Sequence, residues 1–298
     1  MRAKATDRYG ASQALVAILG HDAVDSRLLG GKGASLDRLS RLGFTVPPGF
    51  CLTTEAFATQ LDAIADQSTL QAAMAALPNE SARADLVALI ERSPLAPRLA
   101  RALDAAVLQL AGSAPAPLLV AVRSSTADED GTVTSFAGLH ETDVGVAPEG
   151  IADAVRRCWA SLWSPAATAY RVGRAISLID VAMAVVVQSL VPAEAAAVVF
   201  TRHPVTGRQD QILINAVRGL GEPMVAGTVT PDSMVVDKAT RAVIETSMGD
   251  AIEAMVARDH GVSSVSRAPG TRPATRDTDL AHRARLRRRG RVRCRRGS

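Results

Sequence analysis

The sequence predicts an α+β protein of two lobes followed by a disordered basic tail, and three observations carry that expectation. Short apolar runs bounded by glycine and proline turns recur along the chain, as strands do. Residues 55–111 are instead alanine- and leucine-rich at helical spacing, a small layer of helices placed before most of the strands. Residues 267–298 lose apolar periodicity and turn to arginine, proline and glycine. Strand groups and helix groups in this order give two α+β lobes facing a cleft. The expected boundaries are 1–190 for the first lobe with its helical layer, 191–261 for a partial second lobe and 262–298 for the tail.

Taken in order, residues 24–29 read as a brief strand. Residues 32–42 read as a helix, with Leu36, Leu39 and Leu42 on one face and Gly43 as its stop. Val46-Pro47-Pro48-Gly49 is a rigid turn into Phe50-Cys51-Leu52, and Thr54 is the expected cap of the next helix. Breaks in the helical layer are expected at Pro78, Pro94 and Pro97. Residues 118–122 form a buried strand, 140–146 alternate as a second, and a polar, glycine-containing flap joins them. Residues 149–163 and 166–174 read as consecutive helices split at Ser164-Pro165. The runs 181–190 and Ala195–Phe200, on either side of Val191-Pro192, read as strands of a second sheet that 212–216 and 234–237 continue. Gly219-Leu220-Gly221-Glu222 is a glycine turn presenting a carboxylate, and 250–258 reads as a last helix.

Composition narrows the function classes. No stretch reaches the roughly 20 apolar residues of a membrane helix, and the start lacks a signal-peptide pattern, so a cytoplasmic protein is expected. Cys51, Cys158 and Cys294 are scattered without a CxxC pair, which argues against a disulfide framework and a zinc site. The formal charge of +4 misleads, because residues 262–298 hold twelve arginines against two aspartates. That local +10 leaves −6 on residues 1–261, a mildly acidic body.

Lysine occurs only at Lys4, Lys32 and Lys238, against thirty-one arginines. Lys32 sits in Gly30-Gly31-Lys32-Gly33-Ala34-Ser35, at the mouth of a predicted helix, where a compact ammonium reaches phosphate oxygens. Arg123 closes an apolar strand in Val122-Arg123-Ser124-Ser125, ahead of the flap Ser135-Phe136-Ala137-Gly138. Two fixed cations and a closable loop suit a polyphosphate. Taken singly, each has a plainer reading: Lys32 an exposed first-turn residue, Arg123 an ion-pair partner of Glu129 or Asp130, Gly138 and Gly219 turn glycines, and Gln188 a partner for a nearby backbone group. The joint pattern favours the site. His203, in a loop before Pro204, reads as structural, and Trp159 with Trp163 at helical spacing reads as core.

Together the motifs from about Leu28 to Lys238 resemble the N-terminal nucleotide-binding domain of the pyruvate phosphate dikinase, phosphoenolpyruvate synthase and rifampin phosphotransferase family. Added to the segments quoted, Glu129-Asp130, Glu141-Thr142 and Gln188 carry the likeness, and the flap is similar to the synthase and rifampin branches. The resemblance implies an ATP-grasp fold holding ATP with Mg²⁺ between two lobes. It implies cleavage of ATP to AMP, with the phosphoryl group passing to a histidine on a mobile domain and then to pyruvate or an antibiotic. By position, Lys32 and Arg123 would hold phosphates as the candidate catalytic cations. Gly138 and Thr142 would contact nucleotide through the flap, Gln188 would lie near adenine or ribose, and Glu222 would complete the set.

Beyond Lys238 the family's Asp-x-Glu-Trp and Gln-Ser-Arg-Pro settings do not occur, and the turn to arginine-rich sequence reads as a truncated or frame-shifted end. Three functions follow as alternatives: an ATP-binding half-reaction module served by a phosphohistidine domain on another chain, a non-catalytic fragment, or a nucleic-acid binder through the arginines of 283–296. The last is disfavoured, since no aromatics interleave with the arginines. The isolated chain is expected to turn over ATP negligibly.

Overall fold

The computed structural model describes residues 14–22, 24–114, 116–126, 142–249, 253–258 and 261–266. Its first sheet runs in the order β1-β2-β5-β3-β4: β1 is Val16–Ile18, β2 Gly49–Leu52, β3 Val120–Ser125, β4 Thr142–Val146 and β5 Ala184–Ser189. All neighbours are antiparallel. β2 and β5 are buried along their whole length, which is why residues 50–52 and 184–187 read as apolar runs rather than alternating ones.

Helices α2 (Thr54–Ala63), α3 (Gln67–Ala75), α4 (Glu80–Arg92), α5 (Pro97–Ala111) and α6 (Ile151–Ala160) share one core with the face carrying Val120, Val122, Val185 and Val187. Phe57, Trp159 and Trp163 meet in this core, with ring centroids 5.9 and 6.2 Å from Phe57. Each indole N–H finds a carbonyl, Met183 for Trp159 and Leu178 for Trp163, so both tryptophans are the core residues expected. The α2, α3, α4 and α7 (Pro165–Gly173) N-termini are capped by Thr53, Asp66, Asn79 and Ser164, each accepting the N–H three residues on. The cap of α2 is therefore one residue earlier than Thr54.

On the other face lies α1 (Gly30–Arg41), over a smaller cluster of Ala17, Leu19, Leu29, Cys51, Ala184 and Val186. The second sheet is an antiparallel meander, β6 (Ala195–Phe200), β7 (Gln211–Arg218), β8 (Asp232–Asp237) and β9 (Val243–Ser247). A hairpin of β10 (Glu253–Arg258) and β11 (Gly261–Ser266) follows, tied to the glycine turn by a Leu220 N–H to Met255 carbonyl bond of 2.7 Å.

Several expectations are corrected. Residues 26–28 form a 3-10 turn rather than a strand, because the Asp25 carboxylate takes the Arg27 N–H and closes the chain locally. The run 181–190 supplies β5, which belongs to the first sheet; burial marks a strand as interior without saying which sheet holds it. Leu39 and Leu42 are exposed, and α1 instead buries Gly30 and Gly33. The helical layer also breaks between α2 and α3, where no proline stands. The expected helix at 250–258 is strand β10, since six ladder partners in β11 outweigh the helix preference of a short Ala- and Met-containing stretch. Strand β11 runs past the expected tail start at 262, while 267–298 and the flap, with Glu129, Asp130 and Gly138, lie outside the described residues.

Candidate functional site

Two segments some ninety residues apart are clasped together at the end of β3. Gly31 N–H donates to the Thr126 carbonyl at 2.9 Å, and Gly33 N–H donates to Ser125 Oγ at 3.0 Å. Ser125 Oγ–H in turn donates to the Leu29 carbonyl at 2.8 Å. Lys32 Nζ donates to the Ser124 carbonyl at 3.2 Å. Gly30 makes the approach possible: at φ 65° its missing Cβ would stand 2.2 Å from the Ser125 carbonyl oxygen. Lys32 thereby rests on the residue that follows Arg123, and the two cations expected from the sequence are neighbours.

Arg123 pairs in register with Thr142 on β4 and Val186 on β5, so the three share a face, the one α1 partly covers. It is exposed, yet the protein around its guanidinium strips away enough water to lower its pKa from the ordinary arginine value, while the Glu222 carboxylate opposes that shift. Glu222 opens the one-turn helix α8 (Glu222–Val225) beyond β7. Burial raises its pKa above the usual carboxylate value, Arg123 lowers it, and Asp143 raises it further. The charge of a carboxylate on α8 thus acts on a cation of the first sheet. A carboxyl whose folded-state pKa is raised stabilises the fold in its protonated form, and that contribution is lost as pH rises through the folded-state value. Glu222→Gln is therefore expected to raise the melting temperature at pH 7.5 by about 1–2 °C, solvent screening keeping the gain small, and to give none near pH 3.5. Thermal melts at both pH values check this; a loss at pH 7.5 contradicts it.

Gln188 is buried on β5, opposite Ala121 and Gly49, with its side-chain amide donating to the Pro47 carbonyl at 3.0 Å. The amide N–H₂ thus braces the Val46-Pro47-Pro48-Gly49 turn, on the sheet face that Arg123 occupies two residues along. Thr142 stands opposite Arg123, Lys32 reaches the carbonyl of the residue after it, and the charge of Glu222 acts on it; Gln188 stands further down the same face. His203 Nδ1 accepts the N–H groups of Val205 and Thr206 at 3.3 Å and so braces its own loop, in keeping with the structural reading. Ser125, given no role by sequence reasoning, holds the clasp. Its signal was its position beside Arg123 in a strand end too polar for its burial.

Two cavities, one behind the Val46–Phe50 turn against α5 and one along α1, include neither Lys32 nor Arg123, so the site rests on the clasped motifs. Among the described residues no group of three His, Cys, Asp or Glu side chains is arranged to cage a metal, and no helix is long and apolar enough to cross a membrane.

The chain matches the family model described as the pyruvate phosphate dikinase AMP/ATP-binding domain over residues 26–287. The match starts where the motifs do and runs well past Lys238, so the likeness extends further than the motifs alone indicated. It is 33% identical over 261 residues to a probable phosphoenolpyruvate synthase of Pyrococcus horikoshii, covering 74% of this chain and 32% of that one. It is 38% identical over 228 residues to a phosphoenolpyruvate synthase of Aeropyrum pernix, covering 73% and 28%. With the prodigiosin synthesizing transferase PigC of Serratia marcescens it shares 36% identity over 233 residues, covering 78% and 24%. The chain spans about a third or less of these relatives' length.

Proposed function

Since the chain belongs to the pyruvate phosphate dikinase AMP/ATP-binding family, we propose that it binds ATP between its two sheets, in an ATP-grasp arrangement, as the nucleotide half of a phosphotransferase. The observation that carries this reading is the clasp, which sets Lys32 against Ser124 and so beside Arg123. A cation on a strand and a second brought against the next residue suit a polyphosphate, and phosphoryl transfer asks the protein mainly for positioning and charge neutralisation. Lys32 and Arg123 hold the phosphates. Thr142, opposite Arg123, contacts the nucleotide together with Gly138, and Gln188 lies toward its adenine or ribose end. Mg²⁺ fits as an ion borne by the nucleotide with Glu222, a carboxylate whose charge acts on Arg123, as a protein ligand, since this ion commonly takes one or two carboxylates and keeps its waters. When bound it neutralises developing phosphate charge.

In this reading the phosphoryl group passes to a histidine of a separate domain and then to pyruvate or another small acceptor. Relatives named phosphoenolpyruvate synthase and a transferase support that class of reaction. A cytoplasmic setting agrees with Cys51 standing buried as a thiol.

Calorimetric titration of the full chain with ATP and Mg²⁺ tests the proposal. Lys32→Ala and Arg123→Ala are each expected to weaken binding by about 1.5–3 kcal/mol, the worth of a hydrogen bond to a charged group. Absence of ATP binding by the unsubstituted chain, or unchanged affinity in both variants, overturns it.

A further inference from the structure

We infer that Ser125 is a positioning residue for the phosphate site, setting the place of Lys32 without touching nucleotide. This rests on the reading of Lys32 and Arg123 as phosphate ligands. Residues 124–126 each receive one of residues 31–33: the Ser124 carbonyl takes Lys32 Nζ, Ser125 Oγ takes the Gly33 N–H, and the Thr126 carbonyl takes the Gly31 N–H. Two of these contacts use backbone that any residue supplies. Ser125 Oγ is the side-chain contact in the set, and it works in both directions, accepting from Gly33 and donating to Leu29.

Leu29 is the N-cap of α1 and Gly33 stands four residues later, so these two groups face each other across the helix's first rung. The α1 start has no side-chain cap of its own. The hydroxyl of a residue on β3 bridges that rung, while the Thr126 carbonyl takes the Gly31 N–H that a cap side chain would otherwise serve, so the helix begins where the strand dictates. Ser125 is completely buried. Without its hydroxyl, the Gly33 N–H loses its strand partner, and the loss falls on the turn that carries Lys32. Gly30 lets the backbones close to contact distance, but a glycine has no means of holding them there; Ser125 has.

A role exercised through Lys32 predicts coupling, which general loosening of the fold does not. ATP affinity is measured by calorimetry for the unsubstituted chain, S125A, K32A and the double variant, each at a temperature where thermal melts show it folded. S125A is expected to weaken ATP binding about fivefold in the unsubstituted background and by less than about twofold in the K32A background, because the group it positions is gone. Should S125A fail to fold, S125C, of similar volume and with a far weaker hydrogen-bonding group, enters the same cycle. Equal losses in both backgrounds, or no loss in either, overturn the inference while leaving the phosphate site standing. If K32A and R123A both leave ATP affinity unchanged, the underlying functional reading falls instead.

Discussion

Gly30→Ala is expected to lower the melting temperature of the chain by roughly 6–12 °C, and to weaken ATP binding at the same time. The backbone at Gly30 lies at φ 65°, a conformation that costs a residue with a Cβ about 1–2 kcal/mol. Here the added carbon would also stand 2.2 Å from the Ser125 carbonyl oxygen, 2.5 Å from its carbonyl carbon and 2.5 Å from its Oγ. Backbone cannot swing aside as a flexible side chain does, so α1 and β3 must part. Strain and lost contacts together come to roughly 3 kcal/mol or more, which at about 2–4 °C per kcal/mol gives the shift stated. Because the parting separates Lys32 from Ser124, the affinity for ATP falls with the stability. Gly43→Ala is the control: it too has a positive φ, 81°, but open space where its Cβ would go, so only the conformational cost of about 1–2 kcal/mol remains. Circular dichroism melts of the two variants side by side decide the matter. Equal shifts would mean that the close approach at Gly30 contributes nothing.

Trp159→Ala should cost about 3–5 kcal/mol of unfolding free energy, the range for truncating a large buried aromatic side chain. Trp159 is fully buried on α6, in the same core as Phe57, Val122 and Val185. Its ring centroid lies 5.9 Å from that of Phe57, and its indole N–H holds the Met183 carbonyl just before β5. Truncation leaves a cavity between helix and sheet and an unsatisfied buried carbonyl at the entrance to the sheet's central strand. Urea denaturation followed by the fluorescence of the remaining Trp163 measures the loss. A change under about 1 kcal/mol would show that α6 does not anchor this face. Trp159→Phe, which keeps most of the ring volume and loses the N–H, should fall between.

Much of the architecture was legible beforehand for local reasons. Proline and glycine punctuation marked the helix-to-helix breaks at Pro78 and Pro94, the Ser164-Pro165 split and the turn into β2. Helical spacing identified Trp159 and Trp163 as core. The candidate cations were legible because lysine is so rare in this chain and because both lie in polar segments at the ends of apolar or glycine-rich ones. What went astray did so where local preference and distant pairing disagreed. Residues 250–258 were read as a helix, but the 253–258 stretch has little intrinsic bias and takes the form its partner strand imposes. Of the α1 leucines at helical spacing only Leu36 packs against the sheet as expected, while Leu39 and Leu42 are exposed; the closest approach is made at Gly30 and Gly33, whose small size lets the helix come close.

By itself the sequence determined an α+β composition and the positions of most turns, and it singled out Lys32 and Arg123 as candidate charges. Those properties depend on each residue and its near neighbours: φ restriction, side-chain capping, periodic hydrophobicity and residue chemistry. Tertiary structure alone decided that β5 stands between β2 and β3, that Gln188 holds Pro47, and that Ser125 joins Leu29 and Gly33 at the start of α1. Each of these joins groups remote in the chain, and the physical reason is the same throughout. An interior hydroxyl, amide or carbonyl must find a partner wherever the packing of the sheets brings one within about 3 Å, and that distance is fixed only when the whole chain has closed.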